Sequence, residues 1–237
     1  MKQSRILLLA ILLFSSIVVN AQEKSKNDSK ENLHQFYMNL GYAYRLSSGP
    51  NELFKNQISN PDHYSTLRNG LQINFAYDYS YKTFFAFGFK ASAFNSSNAL
   101  SSKDELEVNG GVECKDDTYI FYVGPSVKYT FPTFNKNYST YARGTIGYMS
   151  FRNSETTAAI DSTGARGISS TYTGATLGLG LDAGIDYSIN DFLSVGFNVG
   201  LIGGNVGKLN VSEVKKDLKH SENLYRLDFS VGVKIKL

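Results

Sequence analysis

The chain has 237 residues, a formal net charge of +3 at pH 7 and a single cysteine. One cysteine excludes an internal disulfide framework. Removal of a predicted signal peptide that contains Lys2 and Arg5 leaves 22 basic and 21 acidic residues. This charge balance excludes the basic surface of a nucleic-acid-binding protein. Abundant glycine (21), tyrosine (16) and phenylalanine (16), with 4 prolines and no tryptophan, favours β structure.

The first 21 residues have the pattern of a secretory signal peptide. Lys2 and Arg5 precede an apolar run that begins at Ile6, and Ala21 stands at the expected cleavage position. The run is shorter than the roughly 20 apolar residues that a membrane-spanning helix needs. We therefore expect export and cleavage after Ala21, a flexible periplasmic leader over residues 22–34 and one domain over residues 35–237.

Eight segments of that domain alternate between apolar and polar positions, which is the period of a β-strand. The last is the most regular, because every odd position from Tyr225 onward is apolar. In the fifth, Tyr141 and Met149 fall on the polar face; in the fourth, Pro125 cannot donate a ladder hydrogen bond and predicts a bulge or a break. The predicted strands are Gln35–Leu46, Leu71–Ser80, Thr83–Asn95, Thr118–Phe131, Tyr138–Phe151, Tyr172–Ile189, Phe192–Ile202 and Leu224–Leu237.

Long and short connections between these strands alternate without exception. In an up-and-down meander, this places every long loop at one end and every tight turn at the other, which is the layout of an outer-membrane barrel with extracellular loops and periplasmic turns. The long connections are Ser47–Gly70, Ser96–Asp117, Arg152–Thr171 and Gly203–Asn223, and the short ones are Tyr81–Lys82, Pro132–Asn137 and Asn190–Asp191.

Alternation alone leaves open which face meets solvent. A soluble lipocalin-like barrel turns its apolar face inward around a small ligand, whereas a membrane barrel turns it outward to lipid. Here small residues dominate the polar face, aromatic residues cluster near both strand ends, and the segments are long enough to cross the hydrocarbon layer. The sequence therefore predicts an all-β, eight-stranded antiparallel up-and-down transmembrane barrel.

The last eight residues carry a further motif. Ser230, Gly232, Ile235 and Leu237 fit a barrel-assembly signal of polar, any, Gly, any, any, hydrophobic, any, hydrophobic, although an aromatic residue is common at its end. On this motif and the strand layout, the chain resembles the small outer-membrane barrels of Gram-negative bacteria, the class of outer-membrane proteins A, X and W, and most closely the Bacteroidota-type barrels that include PorT-like sequences. The resemblance implies a location in the cell outer membrane, contact with lipid and lipopolysaccharide, and barrel-assembly machinery as the partner during insertion.

Eight strands enclose a space only wide enough for side chains. Ten charged residues fall on the predicted lumen face, and opposite charges in so confined a space should pair. We expect them to form a structural plug rather than a conducting path. They are Arg45, Asp78, Lys90, Lys128, Arg143, Asp182, Asp186, Arg226, Asp228 and Lys234.

The sequence supports no catalytic, cofactor or metal motif, and we expect no enzymatic activity. His63 beside Asp62 is the only local combination with a candidate base, and loop histidines are usually only solvated. Gly178, Gly180 and Gly184 superficially match a dinucleotide fingerprint, but they fall on a strand that no helix follows.

The long connections are where a function would reside. The second is acidic enough to attract divalent cations near lipopolysaccharide, although a solvated face is the more frequent case, and its Cys114 is expected to be an incidental thiol. In the fourth, Val211, Val214 and Leu218 have a helical spacing that predicts a short helix over the barrel mouth. The leading hypothesis is a structural or interaction role through these loops; a small-solute or hydrophobic-ligand conduit and an accessory subunit of a secretion machine are the alternatives.

Overall fold

The computed structural model describes residues 34–47, 66–82, 84–101, 112–132, 137–161, 164–211 and 214–237. The predicted signal peptide, the leader up to residue 33 and the pair His63 and Asp62 lie outside the described residues. The strands within those ranges are β1 (His34–Arg45), β2 (Asn69–Lys82), β3 (Phe85–Ser101), β4 (Val112–Phe131), β5 (Tyr138–Asp161), β6 (Gly164–Ser188), β7 (Leu193–Gly203), β8 (Asn205–Val211), β9 (Val214–Asn223) and β10 (Arg226–Lys236). No helix in the described part of the chain has the length and apolarity to span a membrane.

Eight of these strands close into an antiparallel barrel. Neighbours along the chain pair from β1 to β7, β7 pairs with β10, and β10 returns to β1. Following the cross-strand register once around the barrel from Ile185 leads back to Ala175, ten residues away on the same strand. A stagger of this size tilts the strands by roughly 35–45°. The predicted eight-stranded up-and-down barrel is confirmed.

Side chains alternate strictly between the outer surface and the interior. Large apolar residues on the outer parity are exposed; Leu71 and Leu177, for example, are 69% and 68% accessible. Charged and amide residues on the inner parity are buried. This also explains the irregular fifth predicted strand, because Tyr141 and Met149 are buried and point inward, as Arg143 on the same face of β5 does.

Strands β3 to β6 extend further toward the long connections than predicted. The β3–β4 and β5–β6 hairpins continue through most of the second and third predicted loops, and β5 pairs with β6 as far as Asp161 and Gly164. These extensions are rich in Ser and Thr and alternate weakly in hydrophobicity, which is why the sequence placed them in loops. Backbone pairing continues regardless, since each hairpin only prolongs a register that the barrel already sets.

The fourth predicted loop also forms a hairpin, so the prediction of a short helix there is wrong. Strands β8 and β9 pair with each other, and Tyr172 and Thr173 of β6 pair with the end of β8. The helical spacing of Val211, Val214 and Leu218 was ambiguous over so short a run. Next to the long connections, β6 offers an open strand edge. Pairing of β8 with that edge satisfies more backbone hydrogen-bonding groups than an isolated short helix would.

Pro125 interrupts the ladder between β4 and β5 without shifting it. The paired residues run from Val112 to Val123 and resume at Ser126, and the register is the same on both sides of the gap. The result is a break rather than a bulge, because proline removes one donor but inserts no extra residue.

Candidate functional site

The interior of the barrel holds all ten charged residues that the sequence placed on the lumen face, and each takes part in an ion pair. Near the short turns, Asp78 Oδ2 accepts from Arg143 Nη2 at 2.6 Å and lies 2.9 Å from Lys128 Nζ. Lys128 also donates to the hydroxyl oxygen of Tyr37 at 2.7 Å and to Gln35 Oε1 at 2.6 Å. One carboxylate therefore anchors two cations from two other strands.

The same layer contains a second ion pair and two buried tyrosine rings. Lys234 Nζ lies 2.6 Å from Asp186 Oδ2. The Tyr37 ring lies 4.9 Å from the charged groups of both Lys128 and Arg143 and 5.7 Å from that of Lys234. Tyr37 packs against Tyr141 with 5.9 Å between ring centroids. Aromatic faces stabilise cations through the ring quadrupole, so the tyrosines add attraction that the two carboxylates alone do not supply. The sequence analysis placed Tyr141 on the polar face but predicted neither ring as a neighbour of these cations.

A middle layer contains two more ion pairs. Lys90 donates to Asp182 Oδ1 at 2.6 Å, and Arg226 Nε donates to Asp228 Oδ1 at 3.0 Å. Arg226 also donates a short hydrogen bond to Ser92 Oγ, and it is fully buried. The buried Lys90–Asp182 pair fixes β3 relative to β6, because either partner alone would be an uncompensated charge, whereas Arg226 and Asp228 both lie on β10.

The ion pair nearest the long connections joins the barrel wall to the β8–β9 hairpin. Arg45 Nη2 on β1 lies 2.8 Å from Glu222 Oε1 on β9, and both side chains are buried. Arg45 also donates to the carbonyl oxygen of Asn223 at 3.3 Å. The sequence analysis placed Glu222 in the fourth long connection and therefore gave Arg45 no partner from that side.

An apolar stopper, which the sequence did not predict, fills the interior next to the long connections. Inward side chains from the barrel strands meet Val206 and Leu209 of β8 and the adjacent Leu224, all fully buried. A signal was present, because Tyr119, Ile120, Phe121, Tyr122 and Val123 are apolar at both parities and so predict a segment buried on both faces. The stopper consists of Ala43, Phe94, Ile120, Tyr122, Met149, Phe151, Ile202, Val206, Leu209 and Leu224.

Glycines on β6 accommodate the large inward residues. A Cβ on Gly184 would lie 2.6 Å from the Tyr141 ring, and one on Gly178 would lie 3.0 Å from the Tyr122 ring. A Cβ on Gly174 would lie 2.5 Å from Val206 and 2.7 Å from Leu209, so this position lets the hairpin approach the wall. The glycines that resembled a dinucleotide fingerprint thus lie against tyrosine side chains of β4 and β5.

The outer surface changes from apolar to polar along the strands. On β4 the exposed Tyr119 is followed toward the long connections by Asp117 and Lys115; on β5 the exposed Tyr148 is followed by Arg152. Aromatic rings cluster near the short turns, where Tyr129 contacts Phe85 and Phe131 and Tyr138 contacts Tyr187. This apolar band with aromatic ends matches the hydrocarbon layer and its interfaces.

The extended hairpins carry a buried acidic pair above this band. Asp116 of β4 and Glu155 of β5 are opposite each other in the register, and both are buried. Asn153 Nδ2 donates to Asp116 Oδ1 at 3.3 Å. Burial raises the pKa of the nearby Tyr172 phenol, and the Glu155 carboxylate raises it further. Among the described residues, no group of three or more metal-ligating side chains is placed to hold an ion.

The residues of the proposed assembly signal close the barrel. Ser230 points inward, Gly232 pairs with Asn39, and Ile235 pairs with Phe36. Leu237 N donates to the His34 carbonyl oxygen at 2.8 Å. Ile235 was expected to face lipid, and this expectation is wrong: the side chain is fully buried, and in register it lies between Phe36 of β1 and Leu193 of β7. Strand β1 begins at His34, one residue before the predicted start.

A closed antiparallel barrel with an apolar outer band and an ion-paired interior defines the class of transmembrane β-barrels. No family model and no curated protein matches the chain. Among solved structures, it is similar to Neisserial surface protein A, with 14% identity and a TM-score of 0.45 over 86% of this chain and 97% of that one. It is also similar to the attachment invasion locus protein Ail of Yersinia pestis, in complex with the heparin analogue sucrose octasulfate (12% identity, TM-score 0.42, 85% and 99% covered), and to the outer membrane protein OprG of Pseudomonas aeruginosa (12%, 0.45, 86% and 95%).

Proposed function

We propose that the chain is an integral protein of a Gram-negative outer membrane, with a structural or interaction role carried by its extracellular end. The single observation that supports this proposal is the combination of an outer apolar band with an interior filled by ion pairs and a stopper. Lipid stabilises the apolar band. Because the interior is filled, the surface beyond the membrane is the part of the protein that is available to bind a partner.

The extended strands supply that surface. Strands β3 to β6 continue past the apolar band, and the described outer side chains there include the polar Lys115, Asp117 and Arg152. We propose that this end contacts lipopolysaccharide and, through its loops, a protein partner. The assembly motif ending at Leu237 supports recognition by the barrel-assembly machinery and a relation to the Bacteroidota-type barrels.

A non-enzymatic role accords with the state of the lumen charges. Each of the ten is held in an ion pair rather than as a base beside a nucleophile. A conduit for small solutes would need those pairs to separate. One observation favours a conduit for hydrophobic ligands. If the β8–β9 hairpin moved, the residues of the apolar stopper would contact an apolar molecule.

Two measurements on the full chain test the proposal. We expect it in the outer-membrane fraction, with slower migration on a gel after heating in detergent, because the closed barrel resists unheated detergent. Recovery from the soluble periplasmic fraction without a heat-dependent shift would contradict it. In planar bilayers we expect no large stable conductance, and steady nanosiemens steps from pure monomer would contradict the filled interior.

Capture from native membranes addresses the partner. Stoichiometric recovery of secretion-machine components with the barrel supports a PorT-like accessory role, and recovery of the barrel alone counts against that role. Protection of the purified protein by an apolar ligand against thermal unfolding would favour the hydrophobic conduit.

A further inference from the structure

We propose that the lipid-facing wall of the barrel carries a binding site for a β-hydroxyacyl chain of lipopolysaccharide, centred on the backbone carbonyl oxygen of Ile146. The proposal rests on the outer-membrane location proposed above. Two features coincide at this place on the wall. One is a backbone acceptor that has lost its ladder donor, and the other is a recess in the apolar band.

The proline of β4 leaves one backbone acceptor of β5 without its donor. The register on both sides of the ladder break places Pro125 opposite Ile146. On its other side Pro125 pairs with Phe89 without interruption, so the missing N–H is the one that would face β5. A Cβ on Gly124 would collide with the Ile146 carbonyl oxygen, and this oxygen is therefore directed at β4.

A recess of about 600 Å³ opens on the outer surface at the same peptide. Pro125 lines it together with the exposed side chains of Ile146, Tyr148 and Leu177. Gly147 lines it as well, although it has inward parity and no side chain, so the recess reaches the backbone of β5. The Ile146 carbonyl belongs to the peptide between Ile146 and Gly147, and a molecule in the recess can therefore approach it.

The chemistry of the recess selects a neutral donor on an apolar chain. An unpaired backbone carbonyl is costly in hydrocarbon, where water does not supply a donor. The Thr176 hydroxyl at the edge of the recess is engaged elsewhere, because it donates to the Leu177 carbonyl oxygen at 3.4 Å. None of the described residues that line the recess is charged, so a phosphate or an ammonium group finds no counter-ion there. A hydroxyl group carried by an acyl chain fits both the acceptor and its surroundings.

The depth of the acceptor matches the position of such a hydroxyl. Tyr148 is exposed near the outer interface, with the polar Arg152 beyond it on the same strand. Ile146 lies two residues closer to the short turns, which places its carbonyl about 5 Å deeper on a tilted strand. The β-hydroxyl of a lipopolysaccharide chain lies just below the sugar that bears the chain. The acyl chains of ordinary phospholipids carry no hydroxyl group at that depth.

A second recess on the same wall provides an internal comparison. It has a volume of about 620 Å³, and Val127, Ala142 and Leu181 are among its lining residues. The ladder of β5 with β4 and with β6 is continuous there. This second recess offers an apolar chain equal room but no backbone acceptor without a donor.

Nuclear magnetic resonance of the full chain in detergent micelles tests the site at the atom concerned. With isoleucine labelled at the carbonyl carbon and glycine at nitrogen, only the Ile146–Gly147 and Ile202–Gly203 peptides give correlated signals. We expect N-(β-hydroxymyristoyl)glucosamine to shift the Ile146 carbonyl signal and N-myristoylglucosamine to leave it in place. The carbonyl of Ile202, which is fully buried in the interior, should not respond to either lipid.

No shift at Ile146, equal shifts from the two lipids, or a shift at Ile202 as large as that at Ile146 would overturn the site. The heat-dependent gel shift of the same sample reports whether the barrel is folded. A folded barrel without the carbonyl shift contradicts the site alone, whereas loss of the gel shift contradicts the proposed function.

Two variants separate hydrogen bonding from available space. Pro125→Ala restores the N–H and also enlarges the recess, so it should abolish the preference for the hydroxylated lipid, which we expect to be about tenfold in the native chain. Ala142→Leu fills the second recess and should leave that preference unchanged. Native mass spectrometry gives both dissociation constants for each variant. If Pro125→Ala keeps the preference, the Ile146 carbonyl is not the group that recognises the hydroxyl.

Discussion

Lys90 Nζ lies 2.6 Å from Asp182 Oδ1, and the two side chains are 2% and 1% accessible. The pair joins β3 to β6, which are not neighbours in the sheet, so it spans the lumen. Because both groups are out of water, each depends on the other for compensation.

Removal of one partner of this pair should cost more than removal of both. Lys90→Met leaves the Asp182 carboxylate buried and uncompensated, at a cost of about 3–5 kcal/mol, whereas Lys90→Met with Asp182→Leu should recover most of that loss. Urea unfolding of the refolded barrel in detergent measures both values and their coupling. The exposed pair of Lys115 and Asp117, 55% and 46% accessible, is the matched control, and its disruption should cost about 0–1 kcal/mol. Equal losses for the single and double lumen variants would refute the assignment of a compensated pair.

The ion pair of Arg45 and Glu222 should hold the β8–β9 hairpin against the wall. Glu222→Gln removes the charge that Arg45 faces, so we expect the hairpin to separate before the barrel unfolds. The chain has no tryptophan, and a Cβ added to Gly207 would meet nothing within 4 Å, so Gly207→Trp supplies a fluorescent reporter in the hairpin. In this background, Glu222→Gln should lower the urea midpoint of the fluorescence change, and the exposed-site variant Arg152→Gln should not. A midpoint unmoved by Glu222→Gln would show that apolar packing alone seats the hairpin.

The contact between Gly174 and the hairpin should be equally sensitive to size. Gly174→Val places methyl groups where Val206 and Leu209 already lie, and it should displace β8 from the wall. We expect faster trypsin cleavage after the exposed Lys208 on intact cells or in micelles. Gly207→Ala is the control because its added methyl group meets nothing within 4 Å. If both variants resist trypsin equally, β8 does not depend on close approach at Gly174.

Periodicity predicted the eight barrel strands and the inward position of the ten lumen charges named from the sequence, because most of these charges stand between outward apolar residues. It did not predict the stopper, since Phe94, Ile120 and Tyr122 are apolar residues at inward parity. Nor did it find Glu222 as a partner of Arg45, because they are far apart in sequence and only the hairpin brings them together. Local pattern thus determines which way a side chain points, while the partner across the lumen depends on the stagger of the strands.

Deletion of Ile235 to Leu237 should prevent membrane assembly. It removes the pairing of Ile235 with Phe36 and the hydrogen bond from Leu237 N to the His34 carbonyl oxygen, and so opens the seam between β1 and β10 at its end near the short turns. Unpaired backbone groups at that seam would be costly in lipid. The deletion also removes both hydrophobic positions of the assembly motif. Protease resistance of the protein in isolated outer membranes measures the outcome.

A pair of variants separates the two contributions of this segment. Ile235→Asn with Leu237→Asn keeps the backbone pairing but removes the hydrophobic positions, so it should fail to assemble in cells yet refold in detergent. The deletion should fail in both settings. If the deleted chain inserts and resists protease as the full chain does, the last three residues neither address the protein to the membrane nor secure the closing seam.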